Sequence, residues 1–222
     1  MQTEAREVIP MDDYPFHVLG VSGSPRPGGN TDILLEHCLN GAASRGATTE
    51  AIHLRDYLIH PCVGCEQCRR AETCTKFYDG MQLLYPKIER AQGIVLGSPT
   101  HHYNMTAWVK AFIDRLYPYY EFSSQRPGPW RSRLAEQGRE AVIFEVCEQA
   151  DPSEASLTLA ALRMPLEALG YAINDELSIT GHFGKGAVRS DEGALGAAFS
   201  AGEKLAGRRI KSAPQPFTVK RS

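Results

Sequence analysis

Four of the six cysteines in this 222-residue chain fall in one short stretch, PCVGCEQCRRAETC, Pro61 to Cys74. The spacing of Cys62, Cys65, Cys68 and Cys74 is C-x2-C-x2-C-x5-C. Four thiolates in one tight loop suit an iron–sulfur cube; the spacing of the first three cysteines matches the ferredoxin-type run, while the last gap is longer and no proline follows Cys74. With no second run in the chain, one [4Fe–4S] cluster would use all four. Tetrahedral zinc also takes four cysteines, although structural zinc sites usually hold two separated C-x-x-C pairs. Free redox thiols are a further reading. Disulfides are disfavoured if the chain works in a reducing cytoplasm. Cys38 lies on an apolar helical face and reads as core. Cys147 ends an apolar strand and reads as a small buried residue, with no activating base evident.

A second candidate is the loop Ser22-Gly-Ser-Pro-Arg-Pro-Gly-Gly-Asn-Thr31, which runs from an apolar strand into a helix. Free amides and the dipole at a helix start attract an anion. Ser22, Ser24, Asn30 and Thr31 supply short polar donors, and Arg26 a charge. The loop lacks the Gly-Lys-Ser/Thr ending of a triphosphate loop and the GxGxxG of a dinucleotide fingerprint. A terminal monophosphate suits it better, and a ligand-free turn is the alternative. A third loop, Ser98 to Thr106, offers Pro99, Thr100, His101, His102, Tyr103, Asn104 and Met105. Aromatic faces, a polarizable sulfur and backbone amides fit a flat heteroaromatic ring. Neighbouring His101 and His102 tend to point apart, so a shared metal ion is not expected. No Ser/His/Asp constellation is evident, and no side chain is assigned as catalytic.

These loops must be carried by regular elements. Apolar runs at 16–21, 47–54, 93–100, 140–147 and 171–180 read as strands. Helical patterns cover a segment after Asn30, which is a suitable N-cap, and 78–91, 106–117, 151–170 and 191–206. Pro86 and Pro165 argue for a kink or interruption. Gly and Pro mark 121–138 as a long loop, open to a role as a cover, a partner surface or a simple insertion. Alternating strands and helices imply an α/β, flavodoxin-like, five-stranded doubly wound parallel sheet with helices on both faces. Such sheets bind ligands beyond the carboxyl ends of their strands. The expected organisation is a lead-in (1–14), one domain (15–206) with the cysteine-rich loop at 61–75, and a tail (207–222) containing Arg208, Arg209, Lys211, Lys220 and Arg221.

The formal net charge of −2 gives no basic field for nucleic acid. The first twenty residues hold no apolar run of signal-peptide length, and no stretch suits a membrane span, so a cytoplasmic protein is expected.

In order along the chain, GSPRPGGNT, PCVGCEQCRRAETC and GIVLGSPTHHYNMTAWVKAFIDRLY resemble the NADPH-dependent FMN reductase-like flavoproteins. Within them the chain is most similar to the iron–sulfur flavoproteins, strongly over about 16–117 and more weakly to 206. The resemblance implies FMN, with its phosphate in the 22–31 loop and its ring against 98–106. It implies a homo-oligomer, dimer or tetramer, in which the cluster of one subunit approaches the flavin of another. NAD(P)H as donor rests on the resemblance alone. Arg115, in FIDR, is expected to form a helix–loop salt bridge. The leading expectation is an FMN-dependent oxidoreductase passing electrons between FMN and a [4Fe–4S] cluster, with an electron carrier such as a ferredoxin as partner. The alternatives are an NAD(P)H-dependent FMN or quinone reductase without a cluster, and a non-enzymatic redox or metal sensor.

Overall fold

The computed structural model describes residues 16–207, apart from position 155. The expected lead-in and the basic residues of the tail lie outside them. Five strands form one parallel sheet: β1 (His17–Ser22), β2 (Thr48–His53), β3 (Gly93–Pro99), β6 (Glu140–Val146) and β7 (Ala172–Ile179). Their spatial order is β2-β1-β3-β6-β7. Counting these strands alone, that is the 2-1-3-4-5 order of flavodoxin-like sheets. Between β3 and β6 the chain adds a two-stranded antiparallel ribbon, β4 (Tyr120–Phe122) with β5 (Trp130–Ser132). Most of this ribbon falls within 121–138, the stretch expected to be a long loop. Aromatic residues alternate across the ribbon, and the edge-on pair Tyr120–Trp130 helps to hold it.

Strand residues alternate between two buried layers. Val18, Val95, Val142 and Phe144 face α1 (Asn30–Ser44) and α6 (Glu192–Gly207). Leu19, Val21, Ile94, Leu96 and Ile143 face the layer of α3 (Met81–Arg90), α4 (Ala107–Asp114) and α5 (Ser156–Leu169). A period of two along a strand forces this division, because successive side chains leave opposite faces. The remaining helix, α2 (Cys68–Ala71), is a single turn inside the cysteine loop.

Two sequence expectations are corrected. Asn30 is the first residue of α1 rather than its cap; extended Gly29 holds the cap position. Pro86 and Pro165 lie inside α3 and α5 without interrupting either helix. Each proline removes one backbone donor, and the surrounding core contacts of Tyr85, Ile88, Leu162 and Leu166 keep the helices continuous. Among the described residues, no helix is long and apolar enough to cross a membrane.

The α1–α6 pair closes one side of the sheet at backbone contact distance. A Cβ on Gly202 would lie 1.8 Å from the Cys38 carbonyl oxygen, and one on Gly41 2.0 Å from the Phe199 oxygen. Neither obstacle is a flexible side chain, so the helices must separate to admit a methyl. Gly202→Ala is therefore expected to destabilise the fold by about 1–3 kcal/mol, read as a lower urea midpoint with an unchanged slope.

Candidate functional site

The parallel sheet delivers four loops to one end, after β1, β3, β6 and β7. They enclose a cleft lined by Ser24, Arg26, Gly29, Asn30 and Thr31 from the first, and Pro99, Thr100 and His101 from the second. Val146 and Glu148 come from the third, and His182, Phe183 and Lys185 from the fourth. The first two loops are sewn together. The Gly23 amide donates to Gly97 O (2.8 Å), and Thr106 Oγ1 donates to Gly23 O (2.9 Å) while capping α4. Gly23 carries no side chain where Val109 closes in, since a Cβ there would lie 2.1 Å from Val109 Cγ2.

The hydroxyls and cations read from the sequence divide into two sets. Thr31 is buried and lines the cleft, beside the first amides of α1, which have no intrahelical acceptor. Arg26 reaches Phe183 O (3.2 Å) and lies over the Phe183 ring. With Lys185 it makes this end of the cleft cationic. Burial lowers the His101 pKa and the nearby Arg26 charge lowers it further, so His101 is neutral at pH 7. Ser24 Oγ is engaged with the Arg26 backbone, yet the residue still lines the cleft.

Ser22 and Asn30 are placed differently. Ser22 Oγ donates to Asp32 Oδ1 (2.5 Å), turned away from the cleft lining. Asp32 also accepts from the Gly28 amide (2.8 Å) and from Arg55 Nη2 (2.9 Å), and Arg55 reaches Ser24 O (3.1 Å). Burial opposes the Asp32 charge, but Arg55, Ser22 and the Gly28 amide together hold its carboxyl below the usual range. The loop is thus preformed from behind by a carboxylate and an arginine that sequence reasoning missed. Asn30 Nδ2 donates to Gly184 O (3.0 Å), and its Oδ1 accepts from the Val188 amide (3.2 Å). It ties the 182–188 loop to the start of α1.

In the 98–106 loop, His101 and Asn104 exchange backbone hydrogen bonds, so His102 and Tyr103 form the tip of a tight turn with φ of 49° and 66°. Their rings make an edge-on contact, Tyr103 is 58% exposed, and neither they nor Asn104 line the cleft. Met105 packs into the core and offers no face to a ring. The cleft-lining His182, Phe183, Lys185 and Glu148 were not singled out from the sequence. The GHFGKG run after the last strand, at a carboxyl end of the sheet, was the available signal.

The cysteine loop forms a second concavity. Cys62, Cys65, Cys68 and Cys74 all line one cavity of about 160 Å³, closed by Phe77, Tyr85, Arg115 and Tyr117. Cys62 and Cys65 are exposed; Cys68 and Cys74 are half-buried. Burial pushes the Cys68 thiol up, and Cys74, Cys62 and Cys65 add to this, which puts each of the three within electrostatic reach of Cys68. Among the described residues, no group of three or more His, Cys, Asp or Glu side chains is arranged to hold a single metal ion. Cys38 and Cys147 are buried away from this loop, Cys147 with its thiol on Gln149.

The loop is held in an unusual conformation. Gly64, Glu66 and Glu72 all have positive φ (66°, 57° and 56°). Such strain at non-glycine residues persists only where surroundings over-determine it. Here Glu66 is gripped by Arg126 and by Tyr117 (3.1 Å), and Glu72 by Arg133 (3.3 Å). Both arginines belong to the 121–138 segment, which therefore braces the cysteine loop. From beneath, Arg115 donates to Asp79 through Nη1 (2.7 Å) and Nη2 (3.1 Å), and to His60 O (2.9 Å). Arg115 and Asp79 are each 2% exposed, so the expected helix–loop salt bridge is present and buried.

Residues 16–138 match the NADPH-dependent FMN reductase family. An iron–sulfur flavoprotein of Archaeoglobus fulgidus is 30% identical over 184 residues, 79% of this chain and 82% of that one. The chain belongs to this family, in its iron–sulfur flavoprotein subgroup. Another iron–sulfur flavoprotein of the subgroup, from Methanocaldococcus jannaschii, is 41% identical over 101 residues, 46% of this chain. The match spans about half the length of the first curated relatives, 52% and 46%. A solved structure described as a flavone reductase shares the fold, with a TM-score of 0.67 at 17% identity, over 88% of this chain and 63% of that one.

The buried Asp79 carboxyl has a pH signature. Burial opposes its charge, but Arg115 and the His60 and Met81 amides outweigh burial and pull its pKa from 3.8 down to about 2. A depressed folded pKa contributes stability above the unfolded value and loses it as pH falls through the folded one. Stability is therefore expected to drop between pH 3.8 and about 2, by on the order of 2 kcal/mol from this group. Urea unfolding across this range checks it: Asp79→Asn should be less stable at neutral pH and show a shallower acid dependence.

Proposed function

We propose that the chain is an FMN-dependent oxidoreductase that holds FMN in the four-loop cleft and a [4Fe–4S] cluster in the cysteine cavity, passing electrons between them. FMN would supply two-electron chemistry and the cluster one-electron transfer, so the protein needs no nucleophile of its own. The observation that carries this reading is the convergence of all four cysteines on one cavity. Its volume of about 160 Å³ is more than four thiolates need to close on one ion at ~2.3 Å. A cavity shared by four thiols supports a cluster rather than one ion, and family membership supports the same group.

In the flavin cleft, Thr31 and the first amides of α1 would hold the phosphate, with Arg26 and Lys185 balancing its charge. Ser24 shapes the loop at the same point. Pro99, Thr100, His101 and Val146 would flank the ring, and neutral His101 can donate or accept one hydrogen bond at its edge. Ser22, Asn30 and Asp32 act by keeping the loops in place. The strained tip of His102 and Tyr103, together with half-exposed Trp108, supports a homo-oligomer in which another chain covers these rings. NAD(P)H as donor and a one-electron carrier as acceptor complete the proposal.

Anaerobic purification with iron, sulfide and flavin assays tests it. About four irons, four sulfides and one FMN per chain are expected, with broad absorbance near ~400 nm that bleaches on reduction. Flavin without iron would replace this reading by a cluster-free FMN reductase, and zinc without flavin would end both. Cys65→Ser is expected to lose iron and keep FMN, because the two sites use separate loops. Thr31→Val should weaken FMN binding about tenfold, the scale of one hydrogen bond to a charged group, measured by calorimetry on the flavin-free chain.

A further inference from the structure

One buried acid has no cation to balance it. Glu145, near the carboxyl end of β6, is fully buried. Asp32 and Asp79, the acids buried behind the two sites, each hold an arginine. Among the described residues, only hydroxyls act on Glu145. Ser178 Oγ of β7 donates to its Oε1 (3.0 Å), and Thr100 Oγ1 of the loop after β3 to its Oε2 (3.1 Å). Thr158, in the first turn of α5, lies 3.0 Å from the Thr100 hydroxyl and adds to this hold. A carboxylate taken out of water without a counter-ion is costly, and such groups are concentrated at functional sites. Glu145 lies directly behind the cleft wall. It precedes Val146, sits opposite Ser98 in the β3 register and is bonded to Thr100. Val146, Pro99 and Thr100 all line the cleft. The charged and titratable side chains of the lining are Arg26, His101, Glu148, His182 and Lys185, and none of them is among the groups that act on Glu145.

We infer that Glu145 sets the redox poise of the cleft, its carboxylate charge lowering the reduction potential of FMN held there. The inference rests on the FMN reading above and gives Glu145 a tuning role in addition to its structural one. A hydride from NAD(P)H carries two electrons and one proton, leaves NAD(P)+ behind and brings one net negative charge to the cleft. No bond to Glu145 forms or breaks. Ionised Glu145 repels the arriving charge, and protonated Glu145 does not. The carboxyl is shut off from water, so salt and solvent screen this repulsion less than at a surface. The effect needs no contact with the ring, because a charge acts through the Pro99, Thr100 and Val146 wall. By linkage, negative charge in the cleft in turn raises the proton affinity of Glu145.

The test is a redox titration of the flavin in the holoprotein, for wild type and Glu145→Gln, repeated across a range of pH. Glutamine keeps the shape and can still bond the surrounding hydroxyls, but carries no charge. At neutral pH the flavin midpoint potential of Glu145→Gln is expected to lie about 30 mV above wild type, the two-electron equivalent of a tenfold shift in relative affinity for reduced over oxidised FMN. Burial raises the Glu145 pKa from 4.5, with the hydroxyls opposing it. The acid carries its charge above that pKa and is as neutral as glutamine below it. The gap is therefore expected to start closing above pH 4.5 as the pH falls. A loosened wall alone would move the potential without this convergence. An unmoved or lowered potential, or a gap independent of pH, overturns the inference and leaves the FMN reading intact. If Glu145→Gln does not fold, reduced-minus-oxidised infrared spectra decide, taken on a Glu148→Gln chain so that the cleft-lining acid is silent. A buried-carboxyl band that responds to flavin reduction and moves with 13C-glutamate labelling supports the inference, and its absence overturns it. A wild-type chain that binds no FMN overturns the FMN reading and this inference together.

Discussion

The buried pair of Arg115 and Asp79 is the contact on which the cysteine loop depends. It joins the C-terminal end of α4 to the turn before α3, and through the His60 carbonyl it also fixes the start of the loop. Burying two charges is costly, and such a pair is tolerated when the geometry is bidentate and remaining polar atoms are satisfied. Asp79 meets that condition, since the His60 and Met81 amides also donate to it. Arg115 meets it except at Nε, which is buried without an acceptor among the described residues; the residue also lines the cavity where four thiols gather. Removing either partner would leave a buried charge beside those thiols.

From that anchor the loop is built outward by strain and bracing. Left-handed residues at Gly64, Glu66 and Glu72 turn the chain sharply, so that cysteines spaced over a short stretch face one cavity. The β4–β5 ribbon and its flanks provide the counter-force through Arg126 and Arg133. Phe122 adds to this, lying beside the guanidinium groups of both Arg69 and Arg126. The segment between β3 and β6 is thus part of the cysteine site, which accounts for its aromatic and arginine content.

The four-loop cleft follows a different logic. Its position comes from the parallel sheet, which sends every β–α loop to the same end. Its shape comes from links between loops: Gly23 to Gly97, Thr106 to Gly23, and Asn30 to the 182–188 loop. Asp32 and Arg55 stiffen the first loop from the side away from the cleft. The fully buried Glu145, just beneath the cleft, accepts from Thr100 (3.1 Å) and Ser178 (3.0 Å), and burial raises its pKa. It ties β3, β6 and β7 together at their carboxyl ends. The two sites therefore have separate supports, one in the sheet and one in the buried ion pair.

The sequence by itself determined the parallel α/β sheet, the loops at its ligand-binding edge and the four-thiol motif. Hydrophobic period, glycine punctuation and cysteine spacing are local properties, written in consecutive residues. What only the tertiary structure decided is where each polar side chain turns. Ser22 and Asn30 were legible as donors near a helix start, but Asp32, Gly184 and Val188 claim them. Met105 was legible as a polarizable side chain, but the core takes it. The 121–138 stretch carried loop composition, yet pairing of Tyr120 with Ser132 makes it a ribbon. For Asn30 the deciding partners lie more than 150 residues along the chain. A side chain has several acceptable local conformations, and the choice falls to contacts that exist only once the layers have packed.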